Sequence, residues 1–263
     1  MTCVETADHD GVRVLTMNRP AARNALNPEL IATLYAALRE ADDDPSVRAV
    51  VLTGADPAFC AGVDLKEAAR LGSVYFEQFQ NQSCIRQTGE MRTPIVGAVN
   101  GPVFTGGLEM ALGCDFLIAS ERAVFADTHA RVGILPGGGM TARLPQLVGA
   151  AMARRLSMTG EVVDAARAER IGLVTEVVPH DRLLPRAVEL AGQIAEVPAP
   201  IMASLKEIYV TGSAPITGPA LAAERAIAGA QTLDRDGLKD RYAEVSERNR
   251  RQIKPQPEAS SGL

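Results

Sequence analysis

Asn100-Gly101-Pro102-Val103-Phe104-Thr105-Gly106-Gly107-Leu108-Glu109 follows the apolar run Pro94-Ile95-Val96-Gly97-Ala98-Val99, and this passage decides how the chain is read. A short buried strand runs into a glycine-bearing turn, and the turn opens a helix. Glycine has no Cβ to restrict φ, so the backbone there turns tightly and approaches a ligand closely. The first N–H groups of the helix have no partner inside it and point at negative charge that develops nearby. Upstream, Ala49-Val50-Val51-Leu52 leads into Phe59-Cys60-Ala61-Gly62-Val63-Asp64-Leu65, a second passage of the same design. Two such amides meeting at one carbonyl oxygen form an oxyanion hole, worth about 3–4 kcal/mol per donor in acyl chemistry. A dinucleotide site competes poorly, since neither passage has G-x-G-x-x-G spacing and no acidic residue closes a following strand suitably.

The flanking sequence repeats the alternation of strand and helix. Val12-Arg13-Val14-Leu15-Thr16-Met17 has strand periodicity and ends at the turn-prone Asn18-Arg19-Pro20. Pro28-Glu29-Leu30 opens a helix with Asn27 as its N-cap, and Leu30, Ile31, Leu34 and Leu38 recur at helical spacing. Asp42-Asp43-Asp44-Pro45 stops it. Further strands are predicted over residues 47–53, 95–99, 114–119 and 173–178, with a polar helical stretch over 73–91. Strands separated by helices argue for an α/β domain built on parallel pairing. From Arg182 onward the pattern is helical, and Ala195-Glu196-Val197-Pro198-Ala199-Pro200 forms the joint. Residues 1–197 are therefore read as the core and 198–263 as a helical C-terminal region with a fraying tail from Lys254.

Composition narrows the function classes. A chain of 263 residues with 46% apolar content buries a large core. A net charge of −5 and an isoelectric point near 5.4 give no basic footprint for nucleic acid. Trp is absent and aromatics are 4%, which removes stacking platforms for bases. No apolar stretch reaches the ~18 residues of a membrane span, and Met1-Thr2-Cys3-Val4-Glu5 lacks a basic-then-apolar signal, so a cytoplasmic protein is expected. Cys3, Cys60, Cys84 and Cys114 match no metal spacing, and His9, His129 and His180 lie far apart. Reduced, buried thiols and no metal are the expectation.

Taken together, Asn18-Arg19-Pro20, Asn24-Ala25-Leu26, Leu52-Thr53-Gly54, Phe59 to Lys66, Asn100-Gly101, Gly106 to Glu109, Cys114-Asp115 and Gly133-Ile134-Leu135-Pro136-Gly137-Gly138-Gly139 resemble, in order, the crotonase superfamily, whose best-known members are enoyl-CoA hydratases. The resemblance implies a spiral core of ββα turns and a helical C-terminal region used to build a trimer or a dimer of trimers. It implies an acyl-CoA thioester substrate, with coenzyme A as part of the substrate and no further cofactor. By position, the oxyanion donors are the Val63 and Gly106 amides. Adenine and pantetheine would lie beside Ala61, Gly62, Asp64 and Leu65, and Arg23 and Lys66 would meet CoA phosphates. Ala25, Gly107, Gly133 and Pro136 complete the implied binding surface. Thr105 and Thr128 are candidates to hydrogen-bond the substrate.

Glu109 lies one turn into the helix that begins near Gly106, on a stretch otherwise apolar. A carboxylate there is costly to bury without a task or a partner. The resemblance makes it one of two glutamates that handle water and the Cα proton, and the plainer reading is a charge at a helix N-terminus. The second glutamate is missing. Counting between Phe125 and Gly133 puts His129 at its position. Imidazole transfers protons near neutral pH, so His129 either keeps a modified hydration chemistry, serves another reaction, or lines the pocket. Asp127 and Arg131 flank it at two-residue spacing and share its face if the segment is extended. Asp127 then orients the ring, or both charges are simply solvated. The triple glycine 137–139 lacks the following Lys-Ser/Thr of a phosphate loop; the resemblance makes the stretch a wall of the acyl pocket, and its glycines imply a roomy or adaptable one. Hydration of a 2-enoyl-CoA is the first expectation. Isomerisation, thioester or carbon–carbon hydrolysis, decarboxylation, or acyl-CoA binding without catalysis are the alternatives.

Overall fold

The computed structural model describes residues 2–231 and 235–253. Its strands are β1 (Val4–His9), β2 (Val12–Met17), β3 (Ala49–Gly54), β4 (Ile95–Val99), β5 (Val103–Phe104), β6 (Phe116–Ser120), β7 (Val124–Ala126), β8 (Val163–Asp164) and β9 (Glu176–Val178). Antiparallel β1 and β2 start a six-stranded sheet ordered β1-β2-β3-β4-β6-β9, in which every later pairing is parallel. A second sheet is ordered β5-β7-β8. The helices are α1 (Pro28–Asp43), α2 (Leu65–Leu71), α3 (Ser73–Asn81), α4 (Cys84–Glu90), α5 (Gly106–Ala111), α6 (His129–Val132), α7 (Met140–Val148), α8 (Ala150–Thr159), α9 (Ala165–Arg170), α10 (Leu183–Glu196), α11 (Ala199–Gly229) and α12 (Arg235–Ile253).

Parallel strands covered on both faces bury every residue, and β3 does so throughout. Val50 and Leu52 pack into the main core with Leu15, Leu30, Leu34 and Ile95. Val51 faces the other way and joins Val14, Val96 and Ile118 against Leu183, Ala187 and Ala191 of α10. In α1, Asn27 Oδ1 accepts from the Leu30 amide at 2.9 Å, and the expected apolar stripe is buried.

The departures from expectation have local causes. The 73–91 stretch breaks into α3 and α4 because the Ser83 hydroxyl accepts from the Arg86 amide and starts a new helix. Leu173 and Val174 are buried, but in the turn after α9, so their apolar run enters the sheet only at Glu176. Strand β1 was not anticipated, since all of it beyond Val4 is exposed and shows no alternation. Strands β5, β7 and β8 have two or three residues, too few for a period to register.

The described residues from 183 onward fall in the three helices α10, α11 and α12 and their short joints, as the pattern predicts. Helix α11 packs on α7, and α12 packs on α2 and α6. The tail at residues 254–263 lies outside the described residues. Among the described residues no helix is long and apolar enough to cross a membrane.

Candidate active site

Both glycine passages leave the C-terminal ends of neighbouring parallel strands, β3 and β4, where open α/β sheets place their ligands. They are laced together. The Cys60 amide donates to Pro102 O at 3.3 Å, and the Phe104 amide donates to Cys60 O at 3.0 Å. Leu26 donates to Gly62 O at 2.8 Å and accepts from the Asp64 amide at 3.2 Å, so the Val63 N–H between them faces away from that bridge. Neither the Val63 nor the Gly106 amide donates a hydrogen bond between described residues. Thr105, just before Gly106, has φ 47° and ψ −119°, an unfavourable conformation for a residue with a side chain, and its amide is held by Ala126 O at 3.1 Å. Such strain concentrates where a fold must aim a particular group.

Glu109 is buried on α5, one turn beyond the Gly106 amide. Its Oε1 accepts from the Gly138 amide at 2.8 Å and the Met140 amide at 3.3 Å. Its Oε2 lies 3.7 Å from His129 Nε2, beyond a direct hydrogen bond. On the other side of the ring, His129 Nδ1 is 2.8 Å from Asp127 Oδ1, which also accepts the His129 backbone amide at 3.2 Å. Asp127 thereby fixes the ring orientation, donating no proton itself and accepting the Nδ1–H.

Burial and charge move all three groups. Burial raises the Glu109 carboxyl above the ordinary carboxylate range; the His129 charge opposes this, and the Glu224 charge adds to it. Burial alone would depress the imidazole of His129, but the charge of Glu109 and the hydrogen bond and charge of Asp127 outweigh it and raise its pKa. Asp127 pays for burial too, yet the bond and charge of His129 and the Ser157 hydroxyl hold its carboxyl below the usual value. Each group thus shifts the other: the Glu109 charge favours the imidazolium, and the His129 charge favours the carboxylate.

Two expectations need correction. Asp127, His129 and Arg131 do not share an extended face, because the chain coils into α6 at His129. Arg131 is exposed and its Nε donates to Thr159 O at 2.9 Å. Nor is the glycine stretch roomy at its centre, Gly138. A Cβ on Gly138 would lie 2.8 Å from Glu109 Oε2 and 2.5 Å from Ile85 Cγ2, so glycine serves close approach to the carboxylate.

Of the remaining candidates, Arg23 and Lys66 are exposed on the surface, Arg23 in a left-handed conformation. Asp64 caps α2 through the Glu67 amide and pairs with Arg19 at 3.2 Å, while Ala25 O accepts from the same guanidinium. Ala61 donates to Arg23 O, Gly107 lies against the Cys60 carbonyl, and Thr128 is buried ahead of α6. Leu65 packs near Val132, Gly133 caps α6, and Pro136 is half-buried in the loop that follows.

Sequence reasoning missed two charged residues at this site. Glu224 of α11 accepts from the Gly139 amide at 2.6 Å and the Thr141 amide at 2.7 Å. Arg143 of α7 donates to Gly138 O at 2.8 Å. In the sequence each sits on a helix like any solvated charge, and Arg225 beside Glu224 strengthens that impression.

The enoyl-CoA hydratase/isomerase family model matches residues 7–249. The chain belongs to the enoyl-CoA hydratase/isomerase family. A probable enoyl-CoA hydratase of Rhizobium meliloti is 43% identical over 206 residues, 78% of this chain and 79% of that protein. A crotonyl-CoA hydratase of Syntrophomonas wolfei is 41% identical over 184 residues, covering 69% and 71%. The crystal structure of an enoyl-CoA hydratase from Mycobacterium smegmatis superposes with a TM-score of 0.77 at 44% identity, over 90% of this chain and 99% of that one. That of Mycobacterium tuberculosis H37Rv gives 0.78 at 45% identity, over 86% and 97%. The crotonase-like α/β fold with a helical C-terminal region is thus the fold of this family member.

Proposed function

We propose that this chain hydrates 2-enoyl-CoA thioesters with Glu109 and His129 as its acid–base pair. The observation that carries this reading is the buried Asp127–His129–Glu109 series beside the strained turn that leads into Gly106. The ionised Glu109 takes a proton from water as its oxygen bonds to the β-carbon. Electrons move through the double bond onto the thioester oxygen, which the Val63 and Gly106 amides receive. The His129 imidazolium then protonates the α-carbon. Glu109 passes its proton to His129 across their 3.7 Å separation, which restores both groups. Coenzyme A enters the scheme only as part of the substrate, with Arg23 and Lys66 proposed to face its phosphates and the 61–65 passage its pantetheine.

We also propose a homotrimer, or a dimer of trimers, assembled through the C-terminal helices. Ile208, Tyr209, Ile216 and Ile227 expose more than 60% of their surface along α11, an apolar face that a neighbouring subunit would cover. A cytoplasmic location fits the four buried free cysteines.

The test is the loss of enoyl absorbance when the purified protein meets crotonyl-CoA and longer 2-enoyl-CoA esters. Turnover with incorporation of water is expected. No turnover on any of them overturns hydration and leaves the other oxyanion reactions of the family to be assayed. Asp127→Asn supplies the pH signature. Loss of the carboxylate charge lowers the imidazole pKa of His129, so the alkaline limb of the kcat/KM profile moves to lower pH. The kcat at the optimum falls about tenfold, since the ring loses part of its orientation. An unmoved alkaline limb would remove His129 as the acid.

A further inference from the structure

We infer that Glu224 is a positioning residue for the acid–base pair, a carboxylate delivered by the C-terminal helix to fix the 138–141 turn on which Glu109 is held. This deepens the hydration reading and rests on it. Helix α11 has 31 residues, and the only one it buries is a carboxylate, Glu224. An apolar docking contact would bury the helix's Ile, Leu and Val side chains; this helix instead commits its buried position to a charge, which is costly unless fully hydrogen-bonded.

The bonds are there. Glu224 Oε1 accepts from the Gly139 amide at 2.6 Å, and Oε2 accepts from the Thr141 amide at 2.7 Å and the Thr141 hydroxyl at 2.5 Å. Glu109 takes the alternate amides, Gly138 and Met140. Two carboxylates from distant parts of the chain therefore divide four successive N–H groups at the start of α7, groups that have no partner within the helix. With Oε1 of Glu109 tied to this turn, Oε2 is turned toward His129. If Glu224 lets go, the Gly139 and Thr141 amides lose their acceptors, the turn relaxes, and the aim of Glu109 relaxes with it.

The electrostatics run the same way. The Glu224 charge raises both the Glu109 carboxyl and the His129 imidazole. The other charged groups around the pair are Asp127 before α6 and Arg143 on α7, and Arg143 in turn feels Glu90 on α4 and Arg225 on α11 itself. Neutralising Glu224 leaves these in place and moves both titrations toward lower pH.

The experiment compares wild type, Glu224→Gln and Thr141→Val in the full-length protein, with Glu207→Gln, an exposed site on the same helix, as control. Enoyl hydration gives kcat, KM and the pH profile, and NMR of the His129 imidazole gives its titration without any substrate. Glu224→Gln is expected to lower kcat about 10- to 100-fold with KM nearly unchanged, the size of effect a displaced catalytic group produces. Both limbs of its profile and the His129 titration move to lower pH. Thr141→Val, which keeps the amide and removes the hydroxyl, has a smaller effect on kcat and displaces the His129 titration. Glu207→Gln behaves as wild type. A folded Glu224→Gln with wild-type kcat and an unmoved His129 titration overturns the proposal. If that variant does not fold, wild-type kcat and titration in Thr141→Val overturn it. If the wild type hydrates no enoyl-CoA, hydration falls, and the NMR titration alone still decides on Glu224.

Discussion

Replacing Glu109 with glutamine is expected to lower kcat for enoyl-thioester hydration by about a thousandfold while KM stays nearly constant. Glutamine keeps the side-chain length and an oxygen that accepts from the Gly138 amide, so the turn at 138–140 survives. What it loses is the lone pair that takes a proton from water. Proton transfer by a placed group contributes about 10²- to 10⁴-fold, and an effect confined to kcat marks an interaction made in the transition state. Stability separates this outcome from misfolding. The folded Glu109 carboxyl has a raised pKa, so the folded state binds that proton more tightly than the unfolded chain does. Folding stability accordingly falls as pH climbs from the unfolded carboxyl pKa through the raised one. Glutamine has no such charge to bury, and the variant is expected to be at least as resistant to urea as wild type at neutral pH. A stable variant that retains a tenth or more of wild-type kcat would remove Glu109 from the proton-handling role.

Much of this site was legible because its backbone part is written locally. The strand–glycine turn–helix passages at 59–65 and 100–109 need only neighbouring residues, and both fold as read. Glu109 was legible because a carboxylate between Leu108 and Met110 contradicts the pattern around it. His129 was legible through its distance from Gly133, but its geometry was not. Two-residue spacing in an extended chain would place Asp127 alongside the ring. The structure brings them together by a turn, in which one Asp127 oxygen holds both the ring and the backbone of His129. Glu224 was illegible for a different reason. Its partners at Gly139 and Thr141 are more than 80 residues away along the chain, and only the packing of α11 on α7 brings it to them. Local pattern reports strands, caps and turns; a carboxylate that reaches its donors through tertiary packing looks like any solvated charge on a helix.

Gly62→Ala is expected to damage both fold and activity, because this residue is one of the points where the two glycine passages touch. Gly62 has φ +89°, which disfavours any side-chain-bearing residue by roughly 1–2 kcal/mol. Its added Cβ would lie 2.0 Å from Thr105 Oγ1 and 2.8 Å from Phe104 O. The hydroxyl can rotate away from the first contact. The backbone carbonyl of the second cannot move without dragging the Thr105 turn, and forcing the segments apart adds a further cost of about 1–3 kcal/mol. The combined loss is about 3 kcal/mol, read as a lower urea midpoint with an unchanged slope. Activity suffers beyond this, even in the folded fraction. Val63 follows Gly62 directly and Gly106 follows Thr105, so separating Gly62 from Thr105 separates the two amides proposed to meet at one oxygen. Loss of one oxyanion donor costs about 10²- to 10³-fold in kcat. The Glu109 carboxylate is anchored a turn further along α5 by the Gly138 and Met140 amides, and His129 lies on α6, so the pH profile of the variant should keep its shape while its height falls. A folded Gly62→Ala enzyme with near-wild-type kcat would mean that these two amides do not act on a common atom.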